Sequence, residues 1–128
     1  MNLLLDTHAL LWWLLGDTSL SVSARDAIGD TRNDIFVSAA SAWEITTKVR
    51  IGKLPDVADI ATDLAATVEA QGFVPLPISF AHGQTAGALP GPHRDPFDRM
   101  LVAQAMEGGM VLVSNEQRFD AYGVRRLW

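Results

Sequence analysis

Four acidic side chains, Asp6, Glu44, Asp98 and Glu116, stand where folding could gather them. Asp6 closes the apolar run Leu3-Leu4-Leu5 and precedes a helix-like stretch. Glu44 follows Ile35-Phe36-Val37 and is read as opening a second helical pattern. Asp98 falls in the first turn of a third, after Asp95-Pro96, and Glu116 follows Met110-Val111-Leu112-Val113. Ligands of open parallel α/β sheets bind outside the carboxyl ends of the strands. Acids at strand ends and helix starts can therefore share one rim. Two unit charges about 4 Å apart repel by about 4 kcal/mol at an effective dielectric of about 20. Carboxylates gathered so closely must take up protons or share a cation. Because every candidate ligand is oxygen, Mg²⁺ or Mn²⁺ is expected in preference to zinc.

Each acid also has a simpler reading. Asp6 can cap the helix that begins at Thr7. Ser41-Ala42-Trp43-Glu44 matches the S-x-x-E capping box. Asp95-Pro96-Phe97-Asp98 has an Asp cap, Pro at the first helical position and an acid two residues on. Ser114-Asn115-Glu116 can cap a short turn. The recurrence of one arrangement in four distant segments is what favours a common site.

The elements that must position these acids follow from periodicity. Residues 2–6, 34–38, 73–78, 110–114 and 124–127 read as strands. Turn signals lie at Gly16-Asp17, Gly29-Asp30, Leu54-Pro55-Asp56, Gly72 and Leu89-Pro90-Gly91-Pro92. Strands that alternate with helical patterns predict an α/β fold: a parallel sheet of about five strands with helices on both faces. Residues 57–71 read as one amphipathic helix, with Val57, Ile60, Ala61, Leu64, Ala65 and Val68 on one stripe. The helix after Asp6 carries Leu10-Leu11-Trp12-Trp13-Leu14-Leu15 and has almost no polar face. Such a helix is central in the core or covered by a partner, and in so short a chain a partner over part of it is expected.

Composition sets outer bounds. The 128 residues, 48% of them hydrophobic, suit one domain spanning 1–128. There is no cysteine, which excludes disulfides, thiolate metal sites and thiol nucleophiles. Leu3 to Leu15 is interrupted by Asp6 and His8, lacks the flanks of a signal peptide and is too short to span a bilayer. A soluble, cytoplasmic protein is expected, with no membrane association. The net charge of −5 opposes non-specific nucleic-acid binding, although a bound divalent cation would offset two of the negative charges.

The segments Leu3-Leu4-Leu5-Asp6-Thr7-His8-Ala9-Leu10-Leu11-Trp12, Ser38-Ala39-Ala40-Ser41-Ala42-Trp43-Glu44-Ile45, His93-Arg94-Asp95-Pro96-Phe97-Asp98-Arg99-Met100-Leu101-Val102-Ala103-Gln104-Ala105 and Leu112-Val113-Ser114-Asn115-Glu116 resemble, in order and spacing, the PIN-domain family, and most closely its VapC-type toxin ribonucleases. The resemblance continues through Tyr122-Gly123-Val124 to Leu127-Trp128. It implies a PIN-like fold and a Mg²⁺- or Mn²⁺-dependent endoribonuclease of a type II toxin–antitoxin module. RNA would be the substrate, a cognate antitoxin the partner and a homodimer the common assembly. It also implies products with a 5′-phosphate and a 3′-hydroxyl. The family's catalytic, metal-holding acids fall on Asp6, Glu44 and Asp98. The fourth position usually carries Asp after a Thr-x pair. Glu116 is longer by one methylene, so contact through water or only weak contact is expected there. Asp95 is read as a helix cap. His8 and His93 adjoin the site segments, and a substrate or indirect contact is expected of them before a general-base role.

Lys48, Arg94, Arg99 and Arg118 flank the acids and are candidates for phosphate contacts, against the alternative of a solvated helix face. Trp12, Trp13, Trp43 and Trp128 could stack on bases, although core or interface positions are the more ordinary use. Two other acidic α/β enzyme classes fit poorly. A dehalogenase-like site wants a second Asp two residues after the first, where this chain has His8, and a receiver wants a late Lys, but none occurs after Lys53. The stronger competitor is a catalytically inert PIN-like protein-interaction module.

Overall fold

In the computed structural model, described for residues 1–91 and 93–128, five strands form one parallel sheet in the order β3-β2-β1-β4-β5. They are β1 Asn2–Leu5, β2 Asp34–Ser38, β3 Val74–Leu76, β4 Val111–Val113 and β5 Arg126–Leu127. The expected sheet is present; β2 keeps its expected bounds and the other four strands are shorter than expected. β3 is an edge strand carrying Pro75, with Pro77 just beyond it, and proline cannot donate to a ladder.

The apolar runs are continuous because both faces of the sheet are covered. Leu3, Leu5, Ile35, Val37, Val111 and Val113 belong to one buried cluster, while Leu4 and Leu112 belong to the other with Phe119. The first cluster packs against α1 Thr7–Leu15, α2 Val22–Gly29 and part of α3 Ala39–Arg50. The second takes Leu101, Val102 and Ala105 from α7 Pro96–Gly108.

Residues 57–71 do not form one helix. A 3-10 turn at Pro55–Val57 leads into α4 Ala58–Ala61, and the chain breaks before α5 Leu64–Ala70. Asp63 leaves helical geometry and its carboxylate accepts from the Ala66 amide, so a short polar side chain restarts the helix where periodicity alone runs on. Two further helices, α2 and α6 Phe80–Ala88, are not among the expected elements; the cap of α6 is a Ser79–His82 box.

The apolar helix α1 is covered mostly from within the chain. Trp12 packs on Trp128 with ring centroids 5.7 Å apart, and Trp13 tilts against Phe73 at 6.1 Å while its indole N–H donates to Gln71. Leu15 stays 44% exposed, so the surface left for a partner is confined to the end of the helix. Of the expected turn at residues 89–92, Pro92 lies outside the described residues. Among those described, no helix is long and apolar enough to cross a membrane.

Candidate active site

The chain runs outward from β1 through β2 to β3, then crosses to β4 on the other side of β1. The carboxyl ends of β1 and β4 therefore flank the point where strand order reverses, the usual place for a ligand crevice. Asp6 follows β1, and Ser114 and Glu116 follow β4. α7 leads back into β4, so its first turn, with Asp98, lies at this same rim. Asp6, Glu44, Asp98 and Glu116 line one cavity of about 110 Å³, together with Thr7, His8, Lys48, Asp95 and Arg118.

Asp6 is buried and is the N-cap of α1, its Oδ1 accepting from the Ala9 amide at 2.7 Å. The capping reading of this residue is met, and its place in the shared cavity is the one the chemical reading requires. Burial drives its pKa above the ordinary aspartate value, and the negative charge of Asp98 adds to the rise. Hydrogen bonds from Ser114 and the Ala9 amide oppose it, as does the nearby His8.

Glu44 is not at a helix start. The cap of α3 is Ser38, whose hydroxyl accepts from the Ala40 amide, so the helix begins before the expected Ser41 box. The Ser41–Glu44 spacing instead lies along one helix face. Ser41 and Glu44 are both buried, and Thr7 reaches across from α1 to both. Its hydroxyl donates to Glu44 Oε1 at 2.6 Å and lies 3.1 Å from Ser41 Oγ. Lys48, one turn on, holds Glu44 Oε2 at 2.7 Å.

Asp98 is raised in pKa by burial first and by repulsion from Asp95 second, with His93 and Arg118 opposing. His93 Nε2 lies 2.9 Å from Oδ2, and Arg118 donates to that same oxygen at 2.5 Å. Asp95 is the expected cap, its Oδ1 accepting from the Phe97 and Asp98 amides. Glu116 precedes a 3-10 turn at Gln117–Tyr122, and its side chain is 37% exposed, with Arg118 3.9 Å away. It stands at the margin of the cavity.

The four candidate phosphate contacts divide. Lys48 and Arg118 are paired with the acids themselves. Arg99 points the other way: it donates to the carbonyls of Ala86, His93 and Leu89, clamping the chain ahead of α7, because its guanidinium is spent on backbone acceptors. Arg94 is exposed. His8 is exposed and stacks on Trp12, with ring centroids 5.5 Å apart. Trp43 is 62% exposed and meets Phe97 edge-on at 4.9 Å. Sequence reading missed Thr7 and Ser114 as partners of the acids. A buried hydroxyl beside Asp6 at the head of an apolar helix was the available signal.

Among the described residues, no three His, Asp or Glu side chains stand close enough to chelate an ion as placed. Lys48, His93 and Arg118 occupy that role for Glu44 and Asp98. The donor set nevertheless fits a hard divalent cation. It is all oxygen and converges on one small cavity, and burial leaves Asp6 and Asp98 under-compensated as anions.

The PIN-domain model matches residues 3–124 of this chain. Ribonuclease VapC22 of Mycobacterium tuberculosis is 32% identical over 125 residues, covering 94% of this chain and 92% of that protein. The crystal structure of VapBC2 from Rickettsia felis, bound to a DNA fragment from its promoter, superposes with a TM-score of 0.73 at 16% identity, covering 98% of this chain and 97% of that one. Mycobacterium tuberculosis VapC20, a Sarcin-Ricin loop cleaving toxin, superposes with a TM-score of 0.64 at 16% identity, covering 95% of each chain.

Proposed function

This chain belongs to the PIN-domain family, and we propose that it is a metal-dependent endoribonuclease, the toxin of a type II toxin–antitoxin pair. The observation that carries this reading is the meeting of Asp6, Glu44, Asp98 and Glu116, from four separate segments, in one cavity at the sheet's switch point. Asp6 and Asp98 are the principal metal ligands, Glu44 completes the set and Glu116 assists from the margin. When bound, Mg²⁺ or Mn²⁺ supplies activation of water and neutralisation of charge on the phosphate.

The chain's own residues do the rest. The Ala9 amide and Ser114 hold the Asp6 carboxylate, and the Asp95 cap fixes the first turn that carries Asp98. Thr7 holds one oxygen of Glu44. Lys48 and Arg118 pair with Glu44 and Asp98, and with a cation on those carboxylates they would be available to phosphate oxygens. Arg94 adds an exposed positive charge beside Asp95. Residues 1–128 act as one PIN unit in the cytoplasm. An antitoxin partner and a homodimer complete the reading, in line with the toxin–antitoxin complexes among its structural neighbours.

The test is incubation of purified protein and its Asp98→Asn variant with total cellular RNA and Mg²⁺, followed by mapping of cut sites. The wild type should cut and the variant should not, with the variant's circular dichroism unchanged. Full cleavage by the variant would remove Asp98 from the mechanism. An inert interaction module is favoured by one observation, the ion pairs that already satisfy Glu44 and Asp98. Absence of Mg²⁺ or Mn²⁺ binding in a titration would select it.

A further inference from the structure

A second cavity, of about 720 Å³, adjoins the carboxylate cavity, shares Arg118 with it and is also lined by His93. These two side chains meet on Asp98 Oδ2, so an occupant of the larger cavity would lie beside the acid site. Its walls add Leu89, Pro90, Met106 and the ring of Tyr122. His93 and Tyr122 are tilted 62° to each other with centroids 6.4 Å apart. The Tyr122 hydroxyl is buried and has no hydrogen-bond partner among the described residues. Apolar and aromatic walls, a few polar atoms and a volume of about 300–1,000 Å³ are the marks of a small-molecule subsite.

We propose that this cleft takes one unstacked RNA base next to the phosphate that is cut, and so sets which sequences are cut. The inference rests on the nuclease reading above. A base fits better than an apolar peptide side chain for three reasons. It offers a π-face to the aromatic walls, an edge to an unpaired hydroxyl, and an attached phosphate to the Arg118 guanidinium at the junction of the two cavities. Met106 is half-exposed at the outer wall, so the cleft is open to a strand arriving from solvent.

Ala121 is exposed and lines the cleft but not the carboxylate cavity, so Ala121→Trp puts an indole where a base would lie and leaves the carboxylate cavity alone. Short oligoribonucleotides are titrated into wild type, Ala121→Trp and Tyr122→Phe in EDTA, where no cleavage occurs. Mn²⁺ affinity and cut-site sequences are measured separately. We expect Ala121→Trp to weaken oligonucleotide binding roughly five- to hundredfold, the range of one stacked base. Mn²⁺ binding should be unchanged and the base preference beside the cut should relax. Tyr122→Phe should change that preference with little loss of fold stability. Unaltered affinity and cut sites in Ala121→Trp would overturn the proposal while the nuclease reading stands. Base-dependent binding that Ala121→Trp abolishes, in a protein that never cleaves with metal, would keep the cleft and sink the nuclease. Loss of antitoxin binding alone in Ala121→Trp would assign the cleft to a protein partner and overturn the proposal as well.

Discussion

The Thr7 hydroxyl donates to Glu44 Oε1 at 2.6 Å, joining the first turn of the helix after β1 to the middle of the helix after β2. Both groups are buried, so the bond fixes one carboxylate oxygen and aims the glutamate side chain into the cavity.

Replacing Thr7 with Val keeps the shape and removes that donor. A buried acceptor left unpaired costs about 1–3 kcal/mol, and more when it is charged. Thr7→Val should lower urea-unfolding stability by about that amount, while Thr7→Ser should retain most of it. Equal stability of Thr7→Val and wild type would show that water replaces the hydroxyl freely.

Asp6→Asn separates the observed capping role of the first acid from its proposed metal-holding role. Asparagine caps a helix about as well as aspartate, so α1 should persist. The buried charge disappears, and with it a group whose ionised form burial disfavours. The metal-free variant should melt at a higher temperature than wild type and cut no RNA. A lower melting temperature would mean that the charge is a net contributor to folding.

The same residues set a pH dependence. Burial raises the native pKa of both Asp6 and Asp98 above 3.8, the ordinary aspartate value. Between that value and their raised native values the native state binds more protons than the unfolded state, so stability falls as pH rises through the window. Asp30 works oppositely. Hydrogen bonds from Arg32 lower it to about 2, so its contribution is present above 3.8 and is lost as pH falls towards 2. In EDTA, wild type should therefore lose melting temperature from pH 4 upwards relative to an Asp6→Asn/Asp98→Asn double variant. Parallel curves would refute the shift.

A metal ion held by Asp98 would compete with Arg118, which pairs with Oδ2. Arg118→Gln should tighten Mn²⁺ binding, roughly tenfold if about 1.4 kcal/mol of competition is removed, and weaken RNA binding at low salt. Calorimetric titration reads the first effect. Weaker Mn²⁺ binding in the variant would mean that Arg118 orders the site for the ion.

Much of the site could be read along the chain because its acids have strong local marks. Asp6 and Asp98 sit where strand ends and cap signals fall, and Asp95 caps as its Asp-Pro setting requires. Glu44 lines the cavity from within α3 rather than from its start, because two serines three residues apart both offer a cap and only packing chooses Ser38. The cations were less legible. Arg118 and Lys48 carry the same charge as Arg99, yet two of them meet carboxylates and the third meets backbone carbonyls.

The order of apolar runs and breakers by itself determined a parallel five-stranded α/β sheet and the positions of its acids, because side-chain period and turn chemistry are local properties. Only the tertiary structure decided which groups touch those acids: Thr7 on Glu44, and His93 and Arg118 together on Asp98. Such partners lie up to 37 residues apart, so the strand order and helix packing that join them leave no mark in local spacing.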